Sequence, residues 1–218
     1  MATLLRVDAS FRTEGSTSRA VADSAERAWR REHLQGVVVR RDLGASPLPA
    51  EAWGLAVGGA YTAEEHRTPE QRDALALVAT LGQELVSADA LVLASPLYNF
   101  GVSQHTKTWI DLLIADPRLG PGSEVLHGKP ALLVVAQGGG YGPGTPREGW
   151  DHATPYLQRI LADNWGMDVS TVVADLTLAA STPAMAGLVG VAEQSLATAH
   201  READEHASAL AARLRAAA

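Results

Sequence analysis

The chain contains no cysteine. That excludes disulfides, thiolate nucleophiles and thiolate metal sites, and it leaves any redox chemistry dependent on a borrowed cofactor. Positive charge is not in excess: 18 Lys and Arg stand against 25 Asp and Glu, for a formal charge of -7. With no basic face for a phosphate backbone or an anionic bilayer, neither nucleic acid nor membrane is expected as a partner. No apolar run approaches the ~20 residues of a bilayer span. Met1 to Asp8 reaches its charges too soon to form a signal-peptide core, so the expected compartment is the cytoplasm. His66, His105, His127, His152, His200 and His206 are scattered without metal-ligand spacing and read as solvated or helix-surface residues. Internal repeats are also missing.

What is present is a regular alternation. With 218 residues, 46% of them hydrophobic, the chain can bury one sizeable core, and a single domain over 1–218 is expected. Short apolar runs at Leu4 to Val7, Val37 to Arg40, Ala90 to Ala94, Ala131 to Ala136 and Val169 to Val173 read as strands buried on both faces. Helical periods fit Ser18 to His33, Thr68 to Ser87, Gln104 to Ile114, Ala153 to Trp165 and Val189 to Leu214. Thr68-Pro69 reads as an N-cap with proline in the first helical position. The segment from Leu43 to Arg67, with Pro47, Pro49, Gly54, Gly58 and Gly59, reads as a surface excursion able to line a site or a partner surface. Trp29, Trp109 and Trp165 fall in helices and are assigned to the core or a subunit interface. This β-α alternation predicts an α/β fold: a doubly wound, five-stranded parallel sheet of flavodoxin-like order 2-1-3-4-5 with helices on both faces.

Ligands in such sheets bind beyond the carboxyl ends of the strands, at the switch point between the first and third. Three loops there carry information. The first, Asp8 to Ser18, is crowded with Ser10, Thr13, Ser16, Thr17 and Ser18 and leads into a helix N-terminus. It suits a phosphate monoester, and equally reads as an ordinary N-cap. It is neither Gly-x-Gly-x-x-Gly nor a Walker A sequence, which disfavours a dinucleotide pyrophosphate or an NTP tail. The second, Pro96-Leu97-Tyr98-Asn99-Phe100, is a rigid aromatic loop suited to a flat ligand. The third, Ala136-Gln137-Gly138-Gly139, lets backbone approach a planar ring, or is simply a flexible turn. Together they describe a site for riboflavin phosphate, FMN, which also supplies the missing redox centre.

On these segments, together with Lys107-Thr108-Trp109-Ile110-Asp111, Arg41-Asp42-Leu43 and Thr154-Pro155-Tyr156-Leu157, the chain resembles the bacterial FMN-dependent NADH:quinone oxidoreductases and azoreductases, a flavodoxin-like family. The resemblance spans nearly the whole length. It implies that Ser10, Ser16, Thr17 and Ser18 take the FMN phosphate. It also implies that Leu97, Tyr98, Asn99 and Phe100, with Ala136, Gln137, Gly138 and Gly139, border the ring. By the same resemblance NADH or NADPH donates a hydride to flavin N5, and a quinone, azo compound or similar electron-poor small molecule then accepts it, in a ping-pong sequence. A homodimer with each flavin near the interface is implied as well. No catalytic side chain is nominated, because the protein chiefly positions the partners.

Two departures stand out. Relatives often read Ser-Arg-Gly-Gly where this chain reads Ala136-Gln137-Gly138-Gly139, so a hydroxyl and a cation are missing beside the ring. The 43–67 and 141–150 segments are the second, as shapers of a pocket or as variable surface. Three other readings stay open: a dedicated flavoenzyme of specialised metabolism, a non-enzymatic electron carrier, and a sensor or interaction protein that keeps the fold but not the flavin.

Overall fold

In the computed structural model, which describes residues 1–216, the five apolar runs become β1 (Thr3–Asp8), β2 (Val37–Asp42), β3 (Ala90–Tyr98), β5 (Pro130–Ala136) and β6 (Asp168–Ala174). A short return strand, β4 (Gly101–Val102), pairs only with β3. The parallel order β2-β1-β3-β5-β6 is the expected 2-1-3-4-5 once β4 is set aside. Burial on both faces holds for β1, β3 and β5. It does not hold for the two edge strands: β2 leaves Val37 exposed and turns Arg40 outward, and β6 leaves Val169, Ser170, Thr171 and Val173 only half-buried.

Alternate residues feed two cores. Leu5, Val7, Leu91, Leu93, Leu133 and Val135 face α3 (Pro69–Ser87) and α4 (Gln104–Ile114). Leu4, Val92, Leu132, Val134 and Val172 face α1 (Thr17–Glu32) and α6 (Val189–Ala216). Alanines make the α1/α6 seam: Ala22, Ala25 and Ala28 belong to the same buried cluster as Ala199, Ala203 and Ala207. Trp29 fills one core, while Trp109 and Trp165 meet edge to face at 6.3 Å in the other. Thr68 and Gln71 form a reciprocal capping box behind Pro69.

Three local features differ from the sequence expectation. The 43–67 excursion contains a helix, α2 (Ala52–Ala60), that buries Ala52 and Ala56 beside Leu43. Its glycines hid the helical period, and packing rather than propensity stabilises it. The expected helix 153–165 is α5 (Thr154–Gln158) followed by a wider π turn, Arg159–Asn164, closed by Trp165 N–H to Ile160 O at 3.0 Å. β3 runs four residues past Ala94, with Ser95 and Pro96 still in register with Val135 and Ala136. The expected aromatic loop is thus the end of a strand plus a two-residue hairpin turn.

Candidate functional site

The carboxyl ends of β1, β3, β5 and β6 surround one cleft of about 310 Å³. Its first wall is the β1–α1 loop. Ser16 caps α1, yet its hydroxyl is loosely held, accepting Arg19 N–H at 3.5 Å and lying 3.3 Å from the Ser18 hydroxyl. Both groups can turn to a ligand, and the first-turn N–H groups of a helix have no intrahelical acceptors. The Ser10 hydroxyl accepts Arg12 N–H at 3.2 Å and lies 3.2 Å from the Tyr98 hydroxyl. Arg12 is the one cation among the described residues lining the cleft.

A buried ionic cluster stands behind this loop. Arg6 projects from β1 toward α1 and meets Asp8 at 3.0 Å, Glu26 at 3.0 Å and Asp23 at 2.5 Å. Burial pushes the Asp8 carboxyl up despite the facing Arg6. For Glu26 burial acts in the same upward sense, but hydrogen bonds from Arg30, Arg40 and Arg6 outweigh it and hold the carboxyl below its ordinary range.

The second wall is the β3–β4 hairpin. Leu97 pairs with Val102 and Tyr98 with Gly101, so Asn99 and Phe100 are the two turn residues, at φ 50° and 67°. Positive φ at both central positions fits the twist of a tight hairpin. Asn tolerates it, whereas Phe pays a steric cost that must be met by contacts elsewhere. Those contacts exist: the Phe100 ring meets Tyr141 at 6.2 Å and Trp150 at 5.2 Å, both edge to face, with the Arg147 guanidinium 5.6 Å from its centre.

The third wall is Ala136 to Gly139, backed by the loop after β6. Gln137 N–H donates to Ala174 O at 2.8 Å, and its own carbonyl accepts Thr177 N–H at 2.9 Å. Its side chain is buried and donates to Asp151 at 2.6 Å, away from the cleft. Leu178 N–H reaches Gly138 O at 3.2 Å, and a Cβ on Gly138 would come 2.8 Å from Leu178 Cδ1. Glycine at 138 therefore lets Leu178 close over the turn. Burial, then the charge of Asp151, pushes the nearby Asp175 carboxyl up.

Of the residues singled out from sequence, Ser10, Ser16, Thr17, Ser18, Leu97, Tyr98, Ala136 and Gly138 line this cleft together. Asn99 lines an adjoining cleft of about 470 Å³ that shares the Phe11 and Tyr98 rings. Phe100 sits in the aromatic cluster with Tyr141, while Gln137 and Gly139 shape the turn without lining the cleft. Phe11, Gly15, Thr177 and Leu178 were not anticipated. Thr177 and Leu178 follow the last strand on the same sheet edge, and that position was the available signal.

The lining offers hydroxyls, helix N–H groups, one cation and apolar rings, with no carboxylate or histidine among its described residues. It is a set for holding an anion beside a flat ring rather than for acid-base chemistry. Among the described residues no cluster of three His, Asp or Glu could hold a metal, and no helix is long and apolar enough to cross a membrane.

A family model described as a flavodoxin-like fold matches residues 2–216. An FMN-dependent NADH:quinone oxidoreductase of Frankia casuarinae is 40% identical over 98% of this chain and 98% of its own length. One of Frankia alni is 41% identical over 90% and 94%. The solved structure of an FMN-dependent NADH-azoreductase from Bacillus anthracis in complex with FMN shares the fold at a TM-score of 0.76, with 21% identity over 97% of this chain and 100% of that one.

Proposed function

The chain belongs to the flavodoxin-like-fold family, and on that footing we propose that it is an FMN-dependent NADH:quinone oxidoreductase, as its full-length relatives are named. One observation carries this reading: a hydroxyl-rich helix start and an apolar, glycine-backed wall meet in a single cleft at the sheet's carboxyl edge. The residues present fit the cofactor. Ser10, Ser16, Thr17 and Ser18, with the N-terminal N–H groups of α1, have the donor chemistry for its phosphate. Leu97, Tyr98, Ala136 and Gly138 form a slot for its ring, with Asn99, Phe100, Gln137 and Gly139 shaping the border.

When bound, FMN supplies the hydride-accepting and hydride-donating centre that this cysteine-free chain lacks. The chain's own part is to bind, orient and exclude water. The Phe11 and Tyr98 rings, 5.4 Å apart, separate the cofactor cleft from the neighbouring one. That second space is where NADH and a quinone or azo acceptor would alternate. A homodimer is the finer reading, supported by α2, which has no charged residue and leaves Trp53 exposed, with Tyr61 beyond it.

The test is the visible spectrum of the purified protein with FMN, followed by anaerobic NADH and then a benzoquinone. Bleaching by NADH and recovery on adding the quinone is the expected result. Failure to bind FMN overturns the reading, and bound flavin that NADH cannot bleach favours an electron carrier.

A further inference from the structure

Arg19 has no place on the wall of the cofactor cleft, yet its side chain makes four hydrogen bonds beside it. From the first turn of α1 its guanidinium turns back beneath the β1–α1 loop. Nη2 donates to Ser10 O at 2.7 Å and Nε to Arg12 O at 2.9 Å. The same group donates to both carboxylate oxygens of Asp42, at 2.6 and 2.7 Å. Asp42 Oδ1 in turn accepts the N–H groups of Gly44, at 3.1 Å, and Ala45, at 2.9 Å. The Arg19 hydrogen bond is the chief reason the Asp42 carboxyl lies below its ordinary range.

The β2 end is bolted against the same loop by close packing. Leu43 N–H donates to Asp8 O at 2.8 Å, and a Cβ on Gly44 would fall 1.9 Å from Ser10 O. Only glycine lets the two backbones approach this closely.

Building on the FMN reading above, we infer that Arg19 and Asp42 are positioning residues for phosphate recognition: they pin the Ser10 and Arg12 carbonyls to the back of the loop. A peptide's carbonyl and the N–H that follows point in opposite senses. Holding these carbonyls backward biases the Phe11 and Thr13 N–H groups toward the cleft side. The role needs a fork. A guanidinium has five donors in one plane and here uses four of them, whereas an ammonium has the same charge and no planar array. Because Asp42 neutralises Arg19, the pair contributes geometry rather than net charge.

The inference separates from a general structural role through the ligand. FMN has the phosphate and riboflavin lacks it, while both present the same ring. Binding of each to wild type, Arg19→Lys and Asp42→Asn is measured by quenching of flavin fluorescence, with thermal unfolding as the control for folding. The expected result is that both variants lose about tenfold or more in FMN affinity while riboflavin affinity stays within about threefold. Asp42→Asn approaches the clamp from a different element, so a fold lost in one variant leaves the other to decide. FMN affinity unchanged in a folded Arg19→Lys protein overturns the inference, and so does an equal loss for both flavins. A wild-type protein that binds neither flavin overturns the FMN reading itself, and this inference with it.

Discussion

The Ser10 and Tyr98 hydroxyls lie 3.2 Å apart, joining the loop after β1 to the hairpin that ends β3. They belong to walls assigned separate tasks, phosphate and ring. The link makes the two walls one surface, because movement of the hairpin is felt by the serine that also accepts Arg12 N–H. Tyr98→Phe removes the link and keeps the ring. It is expected to weaken FMN binding about three- to tenfold, the worth of one ordinary hydrogen bond, with little change in melting temperature. A fluorescence titration beside a thermal melt checks both halves.

Arg12 is exposed and lies near the Phe11 ring, its guanidinium carbon 6.0 Å from the ring centre. Unlike Arg19, it has charge to offer a ligand. Arg12→Ala is expected to cost about 1 kcal/mol of FMN affinity at low salt, and less at higher ionic strength as screening takes over. Titrations with FMN at two salt concentrations test this, with riboflavin affinity unchanged.

Phe100 holds a left-handed backbone at φ 67°. Phe100→Gly relieves roughly 1 kcal/mol of backbone strain but gives up two edge-to-face contacts, with Tyr141 and Trp150, worth about 0.5–1.5 kcal/mol each beyond the apolar area they bury, and frees the unfolded backbone. Stability is therefore expected to fall by about 1–3 kcal/mol. The acceptor KM should rise as well, because Phe100 fixes the turn beside Asn99, which lines the neighbouring cleft. Chemical denaturation and steady-state kinetics separate the two effects.

Acid should remove stability through Glu26, beside Arg6, and through Asp42, beside Arg19. The Glu26 carboxyl, and likewise that of Asp42, lies below its ordinary range in the folded chain. Each contributes stability that is complete above about pH 4–5 and is lost as pH falls through the lower folded values. Asp8 and Asp175 are raised and act in the opposite sense, subtracting stability near neutrality and restoring it on acidification. Glu26→Gln should flatten the acid fall in melting temperature. At pH 7 it should cost on the order of 3 kcal/mol, because Arg6 is left buried with less opposing charge. Melts between pH 3 and 8, a window set around those carboxylate values, check the prediction.

The strands were legible because central parallel strands demand unbroken apolar runs, and Leu4 to Val7 and Ala131 to Ala136 meet that demand. The β1–α1 loop was legible as a wall of the cleft because hydroxyls and a helix start coincide at Ser16 to Ser18. Other features have no one-letter signature. Leu176 adopts φ 59° beside Thr177 and Leu178, and nothing in Asp-Leu-Thr-Leu announces a left-handed turn. The Gln137 side chain faces Asp151 rather than the cleft, a choice made by a residue 14 positions away. Arg19 carries no sequence signal for its role, since its four acceptors come from three separate residues.

The alanine seam between α1 and α6 bears on how the protein is made. Ser24 on one helix and His200 on the other, 176 residues apart in sequence, lie 2.8 Å from each other. A ribosome delivers α1 well before α6, so in the interval the Ala22, Ala25 and Ala28 face lacks its helical cover. The β1–α1 loop is seated on that same helix. A nascent chain can thus pair its central strands before α1 is held from both sides, and a firm cofactor site waits for α6.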